Sequence, residues 1–158
     1  MIHVDLSLSR AEFSLKAQFE LPGSGVTGIF GQSGGGKTTL LRAIAGLEPG
    51  AVGSLSVNGR CWQSESIFLP AENRHIGLVF QEPSLFSHLD VRANLVFGSD
   101  RGKDRKKNNK APQAAVLEHI CTTLELGSLL HRDPRSLSGG EQQRVAIGRA
   151  LMASPVML

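Results

Sequence analysis

The run Gly31-Gln32-Ser33-Gly34-Gly35-Gly36-Lys37-Thr38-Thr39 constrains this chain more than any other feature. It fits G-x-x-x-x-G-K-[ST], a loop that surrounds phosphate when it sits between a strand and a helix. Both flanks are predicted here. Val26-Thr27-Gly28-Ile29-Phe30 reads as a short buried strand, and Leu40, Leu41, Ile44, Ala45 and Leu47 recur behind the loop at helical spacing. The chemistry follows from charge placement. Glycines remove Cβ atoms, so successive backbone N–H groups can turn toward one anion. The helix starting near Lys37 adds its positive end. In such a loop Lys37 reaches the β- and γ-phosphates of a bound triphosphate, and the Thr38 hydroxyl ligates Mg²⁺. A chance match in a glycine-rich loop is the bland alternative, and the flanking elements weigh against it.

The bulk numbers are permissive. At 158 residues and 41% hydrophobic, the chain can bury one core and is globular. A net charge of +3 is too small to imply a nucleic-acid partner. Cys61 and Cys121 form no C-x-x-C and read as reduced bystanders in a cytosolic protein. No apolar run approaches a membrane span, and the N-terminus lacks a signal peptide's basic and apolar regions. Any link to a membrane is therefore expected to go through a partner rather than by insertion.

Along the chain, Ile2, Val4, Leu6 and Leu8 alternate with polar residues, as do Phe13, Leu15, Ala17, Phe19 and Leu21. Both runs predict half-buried strands, with Ser9-Arg10-Ala11 as the turn between them and Pro22-Gly23-Ser24-Gly25 as the next. Glu48-Pro49-Gly50 is expected to stop the first helix. Ser54-Leu55-Ser56-Val57 predicts a strand closed by the turn pair Asn58-Gly59. Residues 60–75 are weakly patterned. Ile76-Gly77-Leu78-Val79-Phe80 reads as a second buried strand, ending at Gln81. Asp90 can cap a helix carrying Val91, Asn94 and Leu95. Arg101 to Lys110 is a basic stretch read as a solvated loop. Pro112 opens a helix with Val116, Leu117, Ile120, Leu124 and Leu126 as its stripe.

A second signature begins the last helix, at Leu137-Ser138-Gly139-Gly140-Glu141-Gln142-Gln143-Arg144. Ser138 with Glu141 three residues on is a capping box. Glycines at the first helical positions leave the free N–H groups accessible, and Ser138 adds a hydroxyl, so the segment can also cradle an anion. Val145, Ile147, Ala150 and Leu151 are expected to bury one side of this helix, and Ser154-Pro155 to end it. Alone, a capped helix start is common. Together with a phosphate loop upstream it makes two anion cradles in one chain.

On these motifs, in this order and approximate spacing, essentially the whole chain resembles the ATP-binding subunit of ABC transporters. The stretch from Ile76 through Gln81-Glu82-Pro83 to Asn94-Leu95, with Phe30-Gly31-Gln32-Ser33-Gly34 and Phe68-Leu69-Pro70 ahead of Arg74, is most similar to molybdate importers. Sulfate, iron and polyamine importers share much of that pattern. The resemblance implies an α/β P-loop NTPase fold: a mixed sheet, a small antiparallel β part and a helical subdomain at approximately residues 83–150. Residues 1–158 would then form a partial ATP-binding domain.

It further implies an ATPase that pairs as a homodimer, head to tail, sandwiching ATP and Mg²⁺ between copies. Gly31, Gln32, Ser33, Gly34, Gly35, Gly36, Lys37, Thr38 and Thr39 of one copy would face Ser138, Gly139, Gly140 and Glu141 of the other. Glu141 departs from the glutamine usual at its position. Gln81 would act beside Lys37 in catalysis, contact Mg²⁺ with Thr38 and sense the γ-phosphate; an ordinary strand-end role is the alternative. Phe13 is a candidate for stacking on adenine or for the core. His88 would sit in a family-typical place, although Ser87 replaces the usual proline there, and it is assigned no catalytic role. Permease subunits would be the membrane partners, and the protein would lie peripherally on the cytoplasmic face of the inner membrane. By the same resemblance the Mg²⁺-binding aspartate and adjacent glutamate come just past Val156-Met157-Leu158, and a switch histidine later still. The chain is then a piece of a longer protein, and a nucleotide-binding piece without catalytic activity is the rival expectation.

Overall fold

The computed structural model describes residues 1–10 and 12–158 except 98–109, with backbone alone for 110–113. The basic stretch 101–109 lies outside the described residues. The described chain forms two compact units, Met1–Arg74 and His75–Leu158.

The first unit is built on an antiparallel four-stranded sheet in the order β2-β1-β3-β4. β1 (Ile2–Arg10) and β2 (Phe13–Leu21) pair from Ile2↔Leu21 to Arg10↔Phe13. Ser9 and Arg10 thus belong to the strand rather than to the turn, whose Ala11 is not described. Val4, Leu6 and Leu8 bury one face of β1, as their alternation predicts. β3 (Val52–Val57) pairs with β1 and, through Asn58 and Gly59 at positive φ, turns into β4 (Arg60–Gln63). No sequence pattern marks β4, yet its Trp62 is fully buried.

α1 (Lys37–Ile44) ends earlier than expected. Gly46, at φ 79°, stops it, with Gly46 N–H donating to the Ala43 carbonyl and Leu47 N–H to that of Arg42. This is a Schellman ending, so Leu47 and Glu48-Pro49-Gly50 lie beyond the helix.

The predicted strand at residues 26–30 is corrected. It pairs with no strand among the described residues, and Val26 and Phe30 are almost wholly exposed, at 102% and 94%. Apolar composition supplies only the side-chain half of a buried strand. The backbone groups also need a neighbouring strand, and none of the described residues provides one. Residues 76–80 share this outcome in part: among the described residues their one strand pairing is a parallel bridge from Ile76 to Met157.

The second unit is helical. α2 (Val91–Phe97), α3 (Lys110–Thr123) and α4 (Gly139–Met152) enclose a core of Val91, Leu95, Leu117, Leu126, Val145 and Met152, among others. Asp90 caps α2 as expected, accepting from Ala93 N–H at 2.7 Å. α3 begins at Lys110, so Pro112 stands inside its first turn rather than opening it. α4 fully buries Val145, Ala146, Gly148 and Met152; of the other predicted residues Leu151 is partly buried against the core, and Ile147 and Ala150 are only partly buried. The reason is Gly148. A Cβ there would come 2.7 Å from Leu95 and 3.2 Å from Ile120, so the missing side chain is what lets the helices close at this spot.

Candidate functional site

Of the two cradles, the phosphate loop belongs to the first unit. Gly34 and Gly36 have φ of 77° and 83°, which turn the loop back on itself ahead of α1. A Cβ on Gly36 would sit 3.0 Å from the Phe13 ring and 3.2 Å from Leu15, so a side chain is excluded there twice over. Gly36 is the N-cap of α1, no side chain caps the helix, and its first turn holds no acid. The helix therefore presents an uncompensated positive end at the loop. Lys37 Nζ donates to the carbonyls of Gly31 and Gln32, at 2.8 and 2.6 Å. Its ammonium is thereby held inside the loop, where an anion would approach. Gln32, Ser33 and Thr38 are exposed or partly so, and Thr39 is within the same first turn. A hydroxyl on the first turn, beside a bound phosphate, suits a hard cation such as Mg²⁺.

What holds this helix carries no sequence signal. Arg74 is fully buried at the C-terminal end of α1. Its Nη1 donates to the carbonyls of Ala43 and Ile44 (3.0 and 2.7 Å), and its Nε to that of Leu69 (2.7 Å). The guanidinium lies 5.1 Å from the Phe68 ring centroid and 5.9 Å from that of Trp62. Burial pushes its pKa below the ordinary range. The negative end of α1 and the two ring faces offset that cost. Nearby, the buried Glu48 accepts from Arg42 Nε at 2.8 Å and from Arg10. In sequence Arg74 marks only a likeness to one group of transporters; no periodicity points to it.

The second cradle belongs to the other unit. Ser138 is the N-cap of α4, with the capping box formed in both directions. Ser138 N–H and Oγ donate to the Glu141 carboxylate at 2.7 and 2.8 Å, and Glu141 N–H returns to Ser138 Oγ at 3.4 Å. These bonds hold the Glu141 carboxyl below its usual range, with the charges of Arg132 and Arg144 contributing. Just upstream, the Arg135 guanidinium lowers Asp133 to about 2. The stabilising effect of both acids is present above the ordinary carboxylate range and lost as pH falls through the depressed values. Ser138, Gly139 and Gly140 are exposed.

Gln81 is exposed at a bend in this second unit. His88 has its ring 5.8 Å from that of Phe86. No cluster of three or more His, Cys, Asp or Glu able to hold a metal occurs among the described residues. A recess of about 570 Å³ lies by Arg92, Leu117, Cys121 and Leu130, and none of the candidate residues lines it. No described helix is long and apolar enough to cross a membrane.

Comparison with known proteins identifies a family. The family model described as "ABC transporter" matches residues 15–158. The Molybdenum import ATP-binding protein ModC of Hahella chejuensis is 50% identical over 149 residues, covering 94% of this chain and 40% of the relative. The protein of the same name from Methylococcus capsulatus is 48% identical over 157 residues, covering 99% and 42%. The chain thus spans about two fifths of the length of the curated relatives it matches. A solved structure of cbiO1 from Clostridium perfringens, part of the ABC transporter complex cbiONQ, superimposes with a TM-score of 0.73 at 22% identity, covering 98% of this chain and 62% of that one. A second, titled as the ATP binding subunit of an ABC transporter, gives 0.70 at 21%. The fold is therefore the ABC ATPase fold expected from the motifs, although strand pairing among residues 26–30 and 76–80 is sparse. With a glycine cradle, a capped signature helix and a family match over nearly its whole length, this chain belongs to the ABC transporter family.

Proposed function

We propose that the protein carrying this chain is the ATP-binding subunit of a molybdate importer, and that residues 1–158 supply its nucleotide grip. The observation that carries the reading is the uncapped, acid-free start of α1 directly behind a loop that holds the Lys37 ammonium. Such a start stabilises phosphate through oriented N–H groups and the helix end. Lys37 binds the β- and γ-phosphates, and Gly31 to Thr39 wrap them. Thr38 is the hydroxyl that would ligate Mg²⁺, and Gln81 is a further candidate contact for the ion, which would offset the charge of the phosphate oxygens. Phe13, whose ring lies against Gly36, is the candidate for stacking on adenine.

Ser138, Gly139 and Gly140 meet the γ-phosphate from a second copy, with Glu141 beside them as the acid that holds Ser138, in a symmetric pair with two shared sites. Residues of about 83–150 act as the helical subdomain facing a permease, and the protein works at the cytoplasmic face of the membrane. Molybdate as the solute is supported by the relatives' names. The test is uptake. Deleting the full-length gene is expected to abolish high-affinity molybdate accumulation and leave sulfate uptake intact. Loss of sulfate uptake with molybdate uptake spared would overturn the solute assignment.

A further inference from the structure

Gln81 must be held in place to read a γ-phosphate, yet it is exposed at a bend. The residues around it are fastened to α4, the helix that begins with the signature. Just before Gln81, the Phe80 carbonyl accepts from Gln143 Nε2 at 3.4 Å. Just after it, the Ser84 carbonyl accepts from Arg149 Nη1 at 2.8 Å, and the same guanidinium lies 5.1 Å from the Phe86 ring centroid. The far end of the segment is pinned by the fully buried Asn94. Its Oδ1 accepts from Phe86 N–H at 2.8 Å, and its Nδ2 donates to the carbonyls of Phe86, Leu89 and Asp90 at 3.0–3.1 Å. Phe86 also packs on Phe97 at 4.4 Å. Residues 80–90 are thus a strap with fixed ends rather than a free loop.

We propose that Arg149 is a positioning residue for Gln81. It ties residues 80–86 to the signature helix and so fixes the strap that carries Gln81. The inference rests on the roles proposed above for Gln81 and the signature. Arginine suits the task because one planar group serves the carbonyl and lies over the ring together; a lysine ammonium serves the carbonyl without the flat stack. Gln143 adds a second, longer tie on the other side of Gln81.

The experiment uses the full-length protein and its Arg149→Met and Arg149→Lys variants. Hydrogen exchange of the Phe86 amide is compared with that of α3, with and without MgATP. Arg149→Met is expected to speed exchange of the Phe86 amide, whose N–H bonds Asn94, about tenfold or more while α3 keeps its wild-type protection, because only the strap opens. The Mg²⁺ concentration for half-maximal ATPase should rise about fivefold, with KM for ATP at saturating Mg²⁺ within about twofold, since the phosphate loop is untouched. Arg149→Lys should fall between.

Unchanged exchange at the Phe86 amide, or a uniform rise through the whole helical unit, would overturn the proposal; the second result means that Arg149 is merely structural. Should Arg149→Met fail to fold, Phe86→Leu takes away the ring under the guanidinium, along with its packing on Phe97, and carries the same expectation at smaller size. A wild-type protein that binds no MgATP would sink the proposed function, and the exchange comparison would still decide the tie.

Discussion

Lys37→Ala is expected to weaken ATP binding by the full-length protein about 100-fold, a loss of roughly 2.7 kcal/mol of charge-assisted hydrogen bonding. The helix itself should tolerate the change, because alanine is the best helix former and Lys37 opens α1 rather than packing in a core. What goes is the one cation held within the loop, now occupied with the Gly31 and Gln32 carbonyls. Phosphate oxygens compete for the same ammonium once nucleotide arrives. Titration with a fluorescent ATP analogue, beside a thermal melt, separates the two effects. Binding lost with an unchanged melt is the expected pair of results. Binding kept within about twofold would show instead that the glycine N–H groups alone carry the affinity and that the ammonium is dispensable.

The second large effect is on stability. Arg74→Met is expected to destabilise the first unit by about 3–5 kcal/mol, because it leaves buried acceptors without their donor. The carbonyls of Ala43, Ile44 and Leu69 all lose a hydrogen bond at once, and the negative end of α1 loses its cation. Relaxation cannot readily refill the site. Gly46 backs directly onto the guanidinium, where even a Cβ would lie 2.7 Å from Nε. Arg74→Lys should recover part of the loss, since an ammonium reaches fewer of these carbonyls and stacks poorly on Phe68 and Trp62. Urea unfolding followed through Trp62 reports on the same pocket. A loss below about 1 kcal/mol would mean that water or neighbouring groups satisfy the carbonyls, and that α1 does not depend on this cap.

The sequence is most legible where local rules suffice. The alternation in β1 and β2, the Asn58-Gly59 hairpin, the Asp90 cap and the Ser138–Glu141 capping box are each written in a few adjacent residues, and each is present. Reading fails where the outcome depends on residues distant in the chain. Residues 26–30 carry a strand's side chains, but a strand also needs a neighbour. The buried face of α4 differs from the expected one because Gly148 admits Leu95 and Ile120 against it, and a glycine carries no hydrophobic signal. Arg74 is invisible for the opposite reason: a charged residue gives no hint that carbonyls 30 and 31 positions away will bury it. For the candidate site, the glycine loop and signature are plain as motifs, while the α1 anchor and the tie from Arg149 to Ser84 emerge only in three dimensions.

The central claim is that Lys37 of one copy and Gly139 of another grip the same nucleotide. Mixing two defective full-length proteins tests it most directly: Lys37→Ala, and Gly139→Asp, which sets a like charge against the γ-phosphate. Each alone should retain no ATP through gel filtration. In a mixed pair one site gathers both lesions and the other gathers none, so about one retained ATP per mixed pair is expected. If each copy instead used its own loop and its own signature, both sites of every mixed pair would stay broken. Retention no better than that of either variant alone would contradict the claim.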